Sequence, residues 1–420
     1  WVISEEKFFP KNNIVKYLKV RGSYGEVGND QIGGDRFLYL PSSYGAASDS
    51  GVNKYNFGLA SNPYTSLMIV ENKIGNPDLT WEKAKKMNVG VDINLFNNCL
   101  TASFDIFKEK RNNILANRST SPMIIGANLP AYNFGEMENR GWEMDLNFRH
   151  HIQDFHYWAR FNYSFARNEI IYMDEVQKRY DYQMTTGRRK NQFFGLIFDG
   201  YYNSWEEINA LDRPKSSWSG NQLQPGDVKY VDVNQDGVID DYDMVPIGYT
   251  PVPEIIYGFS FGAQYKGFDF SILFQGADNV SIKYFGRSMW PFAKGEESAK
   301  SLIKERWTQE RYEAGEKITF PRLSLNPNGE TDHNYRPSTL WIRDASYLRL
   351  KNLEVGYTFT GGFVKRLNLN SVRLYFNGSN LFTWTDVVDL DPEAPSRSGN
   401  VEINTYPLQK VYNIGLNINF

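Results

Sequence analysis

In the segment FHYWARFNYSFA, Phe155, Tyr157, Ala159, Phe161, Tyr163 and Phe165 share one side of an extended chain, against His156, Trp158, Arg160, Asn162 and Ser164 on the other. A period of two with one apolar side predicts a β-strand. In YGFSFGAQYKGFDFSILFQG, Tyr257, Phe259, Phe261, Ala263 and Tyr265 alternate up to Lys266-Gly267, and Phe268, Phe270, Ile272 and Phe274 continue beyond it. That arrangement predicts a hairpin. Val89, Val91, Ile93 and Leu95 lead through Asn97-Asn98 into Leu100, Ala102, Phe104 and Ile106. Similar rows run through Trp142, Met144, Leu146 and Phe148, and through Leu353, Val355, Tyr357 and Phe359. Val372, Leu374 and Phe376 carry the pattern on towards Phe382 and Trp384, and Tyr412, Ile414, Leu416, Ile418 and Phe420 close it.

These rows predict about ten strands, starting around residues 17, 84, 99, 139, 155, 255, 268, 347, 371 and 408, most near the ~9–11 residues that cross a bilayer as a tilted strand. Short turns near residues 97, 151, 266 and 365 alternate with long polar segments near 29–83, 112–138, 169–254, 279–346 and 385–407. Outer-membrane barrels have short periplasmic turns and longer extracellular loops, so the alternation also gives an orientation. The apolar rows are expected to face lipid, with Arg160, Asn162, Asp269 and Gln275 facing the lumen and Asp269 open to polar replacement. A soluble β-sandwich or propeller also alternates. Loop asymmetry and a face rich in Tyr, Phe and Trp favour the barrel.

Composition narrows the choice further. No run approaches the ~18 apolar residues of a transmembrane helix, whereas barrel strands need apolar side chains only at alternate positions. A hydrophobic content of 41% with 15% aromatics suits that alternation. The net charge of -3 is made of interspersed acids and bases, with no basic block for nucleic acid. Cys99 is alone, which excludes an intrachain disulfide or thiolate cluster. The opening WVISEEKFFP has no signal-peptide character, so a mature, trimmed or partial chain is expected.

YLKVRGSYGEVGND, GNPDLTWEKAKKMNVGVDINLFNNCLTASFDIF, YKGFDFSILFQG, GDVKYVDVNQDGVIDDYD, SYLRLKNLEVGYTF and RLYFNGSNLFTWT follow one another along the chain. In that order they resemble the C-terminal barrel half of SusC-like TonB-linked outer-membrane proteins of Bacteroidetes, over nearly all of residues 1–420. The resemblance implies an all-β, antiparallel transmembrane barrel of 22 strands, about ten of them here, with the plug domain and TonB box outside this chain. WVISEEKFF then looks like the end of the twelfth strand entering a periplasmic turn. The remaining N-terminal half and plug would be the first partner, because unpaired strand edges in lipid cost several kcal/mol per group. Outer-membrane lipid would surround the wall. The resemblance further implies import of oligosaccharides or peptides, a SusD-like surface lipoprotein as lid, and TonB acting through the absent N-terminal region. A passive porin or surface adhesin on a similar barrel is the alternative, and a soluble calcium-stabilised glycan-binding protein a third reading.

No nucleophile, phosphate-loop or dinucleotide motif is present, and His150, His151, His156 and His333 have no zinc spacing, so no enzyme is expected. The sharpest motif is DVNQDGVIDDYD. Asp232, Asn234 and Asp236 fall at positions 1, 3 and 5 of a calcium loop, Gly237 at 6, Val238 at 7 through its carbonyl, and Asp240 and Asp243 at 9 and 12. An aspartate at 12 is shorter than the glutamate of an EF-hand. A structural calcium ion is expected there, bracing a long loop in place of an apolar core. Trp205, Trp218 and Trp290 could stack on sugar rings or pack their own loops, with packing the commoner case. Leu302, Ile303 and Trp307 have near-helical spacing and predict a helix over 297–314.

Overall fold

The computed structural model describes residues 1–30, 37–40, 45–46, 54–59, 64–70, 74–120, 129–218, 222–284, 289–292, 301–324, 332–393, 400–401 and 407–420. Its main feature is one antiparallel sheet of ten strands. They are β1 (Val15–Asn29), β2 (Glu82–Leu95), β3 (Leu100–Ala116), β4 (Tyr132–Ile152), β5 (Phe155–Tyr172), β6 (Ile255–Tyr265), β7 (Phe268–Asp278), β8 (Tyr347–Phe359), β9 (Ser371–Thr385) and β10 (Val411–Asn419). Each pairs with its neighbour in the chain, and β1 does not pair with β10, so the sheet is an open arc of barrel wall. On the far side of β1, Trp1 and Val20 exchange backbone hydrogen bonds and Val2 bridges Lys19, ahead of a 3-10 turn at Ile3–Glu5.

All ten predicted strands are present. The turn at Lys266-Gly267 is tight, with φ of 44° and 92°, while the turn near 365 holds a short helix, Gly362–Arg366. Strands β3, β4 and β5 run to 17, 21 and 18 residues, well past the bilayer length expected for them. Beyond the apolar rows, ladder pairing continues into water with ions in place of apolar side chains. Lys108 bridges Glu138 at 2.9 Å and Lys110 bridges Glu136 at 2.8 Å.

The register aligns the apolar rows across the sheet: Phe104 opposite Met144, Met144 opposite Tyr163, Tyr163 opposite Tyr257, and Phe259 opposite both Phe161 and Phe274. Much of this face is exposed, with Ile106 at 56%, Phe268 at 60% and Ile414 at 80%. A contiguous apolar face of this size is stable only against another apolar phase, which here is lipid. No helix among the described residues is long and apolar enough to cross a membrane.

The buried core lies in the loops. Leu196, Val228, Tyr230, Ile239, Ile282, Met289, Trp290, Trp307, Phe320, Tyr335 and Trp341 pack together, and they come from the segments after β5 and β7. Short pairings hold the block: Phe198–Tyr201 with Val228–Tyr230, Lys215–Ser216 with Val238–Ile239, and Ser281–Tyr284 with Ile342–Asp344 and Asn400–Val401. The expectation that a metal ion replaces an apolar core is therefore corrected, because the loops after β5 and β7, joined by Val387 from the loop after β9, pool their apolar residues. The single helix expected over 297–314 is corrected as well. Residues 297–300 lie outside the described residues, and the rest form a 3-10 turn at Ser301–Glu305 and a separate helix at Gln309–Glu313. Between them Trp307 donates its N–H to the Phe320 carbonyl, and the Thr308 side chain caps the second piece by accepting from the Arg311 N–H.

Candidate functional site

The lumen side of the wall is polar and ion-paired. Arg21, Gly90 and Asp105 lie side by side on β1, β2 and β3. Arg21 spans the glycine with its guanidinium, bonding both oxygens of Asp92 at 2.9 Å and those of Asp105 at 2.9 and 2.7 Å. A second clamp of the same design joins Arg373 on β9 to Asp269 on β7 across Gly356, with Glu354 Oε1 at 2.6 Å. Arg160, Asn162, Asp269 and Gln275 fall on this face by alternation, as expected. Asp269, however, is held by Arg373 and is not a freely replaceable polar group.

At the outer end of the wall, a cavity of ≈ 450 Å³ is lined by Glu82, Glu109, Arg111, Asn139, Lys190 and Glu254, among others. Acids and bases both line it, so the cavity is polar and mixed in charge. Above β8, the loop after β9 is latched down. Arg349, with 2% of its side chain exposed, bonds Asp391 and Glu393, and Glu393 also takes Tyr347 Oη at 2.9 Å. Burial alone would raise the Asp391 carboxyl, but the Arg349 hydrogen bond and the N–H groups of Glu393 and Leu408 outweigh it and hold it below its ordinary range.

Residues 232–243 form a compact turn at the edge of the loop block. Gly237 sits at φ +82°, a conformation glycine reaches without strain, and its N–H donates to Asp232 Oδ2 at 2.8 Å. Asp232 also accepts from Gln235 N–H, Asp236 from Val238 N–H, and Asp240 from Tyr242 N–H. Asp243 is fully buried and accepts from the N–H groups of Val233, Asn234 and Asp240. Burial pushes the Asp243 carboxyl up, backbone hydrogen bonds oppose that, and Asp232 adds to the rise. No group of three His, Cys, Asp or Glu side chains converges on a common metal position among the described residues. The carboxylates are turned onto N–H groups, yet an oxygen that accepts one hydrogen bond keeps a further lone pair.

The loop tryptophans divide. Trp290 is buried in the block, Trp218 packs against it beneath the Arg336 guanidinium at 4.0 Å, and Trp205 is exposed. His151 stacks on His156 across the turn between β4 and β5, and His150 lies tilted against His151. His333 is buried in the loop core, donating from Nε2 to the Val228 carbonyl at 2.7 Å and facing Ser216 Oγ through Nδ1 at 2.9 Å. Sequence reasoning missed the Arg21 and Arg349 networks. Arg21, Asp92 and Asp105 could have been found as charges at lumen positions of strands, whereas Asp391 and Glu393 lie in a loop with no period to place them.

The TonB dependent receptor-like, beta-barrel family matches residues 1–381. The chain belongs to this family. TonB-dependent receptor P3 of Formosa agariphila is 27% identical to it over 439 residues, covering 100% of this chain and 41% of the relative. TonB-dependent receptor SusC of Bacteroides thetaiotaomicron is 26% identical over 426 residues, covering 100% of this chain and 39% of the relative. The chain thus spans about two-fifths of the length of the curated relatives it matches. The solved structure of the RagAB peptide importer in the 'open-open' state superposes with a TM-score of 0.73 at 22% identity, covering 100% of this chain and 42% of that one, which shows a shared fold. As a member of the TonB-dependent receptor barrels, this chain is a partial wall in the outer membrane.

Proposed function

We propose that the chain supplies part of the wall and the outer loops of an energy-coupled importer of oligomeric nutrients, either glycan oligosaccharides or peptides. The rest of the barrel and a plug complete the pore, a SusD-like surface lipoprotein covers the loop block, and TonB acts on the plug from the periplasm. The observation that carries this reading is an ion-paired lumen wall rising to a packed extracellular block, in a chain of the TonB-dependent receptor family. The relatives named SusC and RagAB peptide importer support coupled import. Transport without covalent chemistry is part of the proposal. The test is uptake of labelled oligosaccharides and peptides by cells carrying the whole receptor, with and without a protonophore. Uptake should fall to background when the inner membrane is de-energised. Uptake that persists would replace the coupled importer with a passive porin, and adhesion without uptake would favour an adhesin.

We further propose that Asp232, Asn234, Asp236, the Val238 carbonyl, Asp240 and Asp243 take a structural calcium ion. The buried, upward-shifted Asp243 beside Asp232 supports it, since a cation relieves both burial and repulsion. The ion would add rigidity to a block that already has an apolar core. Calcium titration of the whole receptor should protect this loop from protease, and Asp232→Ala with Asp236→Ala should abolish the protection. Equal cleavage with calcium and with chelator would remove the site.

A further inference from the structure

On β4 and β5 the lipid-facing rows run from Ile152 to Trp142 and from Phe155 to Phe165, 11 residues each counted along the strand. That is the length of a bilayer-crossing tilted strand. Trp142 stacks on Tyr163 at 4.7 Å near the outer limit of these rows, the level at which aromatic girdles meet lipid headgroups. The next residues on the same face are Arg140 and Arg167, which stand opposite each other in the ladder. Both line a cleft of ≈ 380 Å³ together with Arg188, Arg189 and Glu169.

The arginines differ in their pairing. Arg167 makes a two-pronged bond to Glu254 at 2.9 and 2.8 Å, and Arg189 bonds the same carboxylate. Glu254 is buried, with 4% of its side chain exposed, so it works as an anchor that fixes two guanidiniums in place. The guanidiniums of Arg140 and Arg188 have no carboxylate in ion-pair range among the described residues. Four positive groups against Glu169 and Glu254 leave an excess of two positive charges, at a point where the apolar wall ends and the outer leaflet's headgroups begin.

From this placement we infer that the Arg140–Arg167–Arg188–Arg189 cleft binds a phosphorylated headgroup of an outer-leaflet lipid. The acyl chains of that lipid lie along Trp142, Tyr163 and Phe165, and its phosphate is held by Arg140 and Arg188. Planar guanidiniums in a fork suit phosphate oxygens, and Glu254 keeps two of them from collapsing into the space the phosphate fills. The site rests on the outer-membrane position of the chain and is independent of what the receptor imports.

The test uses the whole receptor in neutral detergent micelles doped with lipid A, either carrying its phosphates or dephosphorylated, with bound lipid counted by native mass spectrometry. The phosphorylated form should bind more tightly. Arg140→Gln and Arg188→Gln should each weaken it about five-fold, the effect of one basic residue beside an anionic surface. Arg140→Lys, which keeps the charge, should retain most of the binding and guards against a merely misfolded variant. Heat-dependent migration on a gel checks that each barrel is folded. Millimolar inorganic phosphate should compete poorly, because it lacks the chains. Equal binding of the two lipids, binding unchanged in both glutamine variants, or full displacement by free phosphate would each overturn the lipid site.

Discussion

Arg373 reaches over Gly356 to bond Asp269, so a residue on β9 is tied to one on β7 past the intervening strand. The reach is possible because Gly356 has no side chain. A Cβ there would stand 2.6 Å from Arg373 Nη2 and 2.7 Å from Asp269 Oδ2. Gly356→Ala should therefore break the clamp, and Asp269→Asn should weaken it. Each is expected to cost about 1–3 kcal/mol, the range for a charged hydrogen bond lost at a partly wet site. Thermal unfolding of the whole receptor in detergent reads this out, and an unchanged midpoint for both variants would show the clamp to be idle.

The two faces of β6 should respond oppositely to charge. Phe261→Arg puts a cation into lipid and should cost about 2–4 kcal/mol near the midplane. Gln264→Arg lies on the lumen side opposite Asp269 and should be tolerated. Folded fractions in lipid titrations distinguish them, and equal losses would mean that the faces are misassigned.

Removing Arg349 leaves Asp391 and Glu393 without their shared cation in a buried place. Arg349→Met is expected to cost about 3–5 kcal/mol, the usual penalty for breaking a buried pair from one side. The loss should fall on the loop after β9. Protease cleavage within residues 385–407 should rise steeply while the barrel strands stay protected.

His333 sets a pH limit on the loop block. Burial pushes its imidazole below the ordinary 6.5, against the pull of Asp227 and Asp332 and with the help of Arg213. The folded form prefers neutral His333, so its contribution is complete above the unfolded value of 6.5 and is lost as pH falls through the lower folded value. Loop amide protection, measured relative to the intrinsic exchange rate at each pH, should fall below about pH 6.5, the ordinary histidine value, and His333→Gln should flatten that dependence. A profile identical in the variant would assign the acid sensitivity to carboxylates.

The ten strands were legible because lipid on one side and water on the other impose a strict alternation, visible in rows such as Phe155 to Phe165. Their outer ends were less legible. Past Trp142 the outside is water, so the ladder continues on pairs such as Lys110 with Glu136, which carry no apolar signal. The acidic motif was legible as a turn around Gly237, and the backbone closes as its spacing suggests.

The sequence by itself determined which residues meet lipid, which way the hairpins run and where the polar loops lie, because those depend on neighbours two residues apart. Only the tertiary structure decided where the core sits, what Asp269 and Asp391 are bonded to, and which arginines gather at the outer rim. Those contacts join residues from separate loops and strands, such as His333 with Val228 and Arg349 with Asp391. No local period encodes them, since the groups become neighbours only after the strands have brought the loops to one end of the wall.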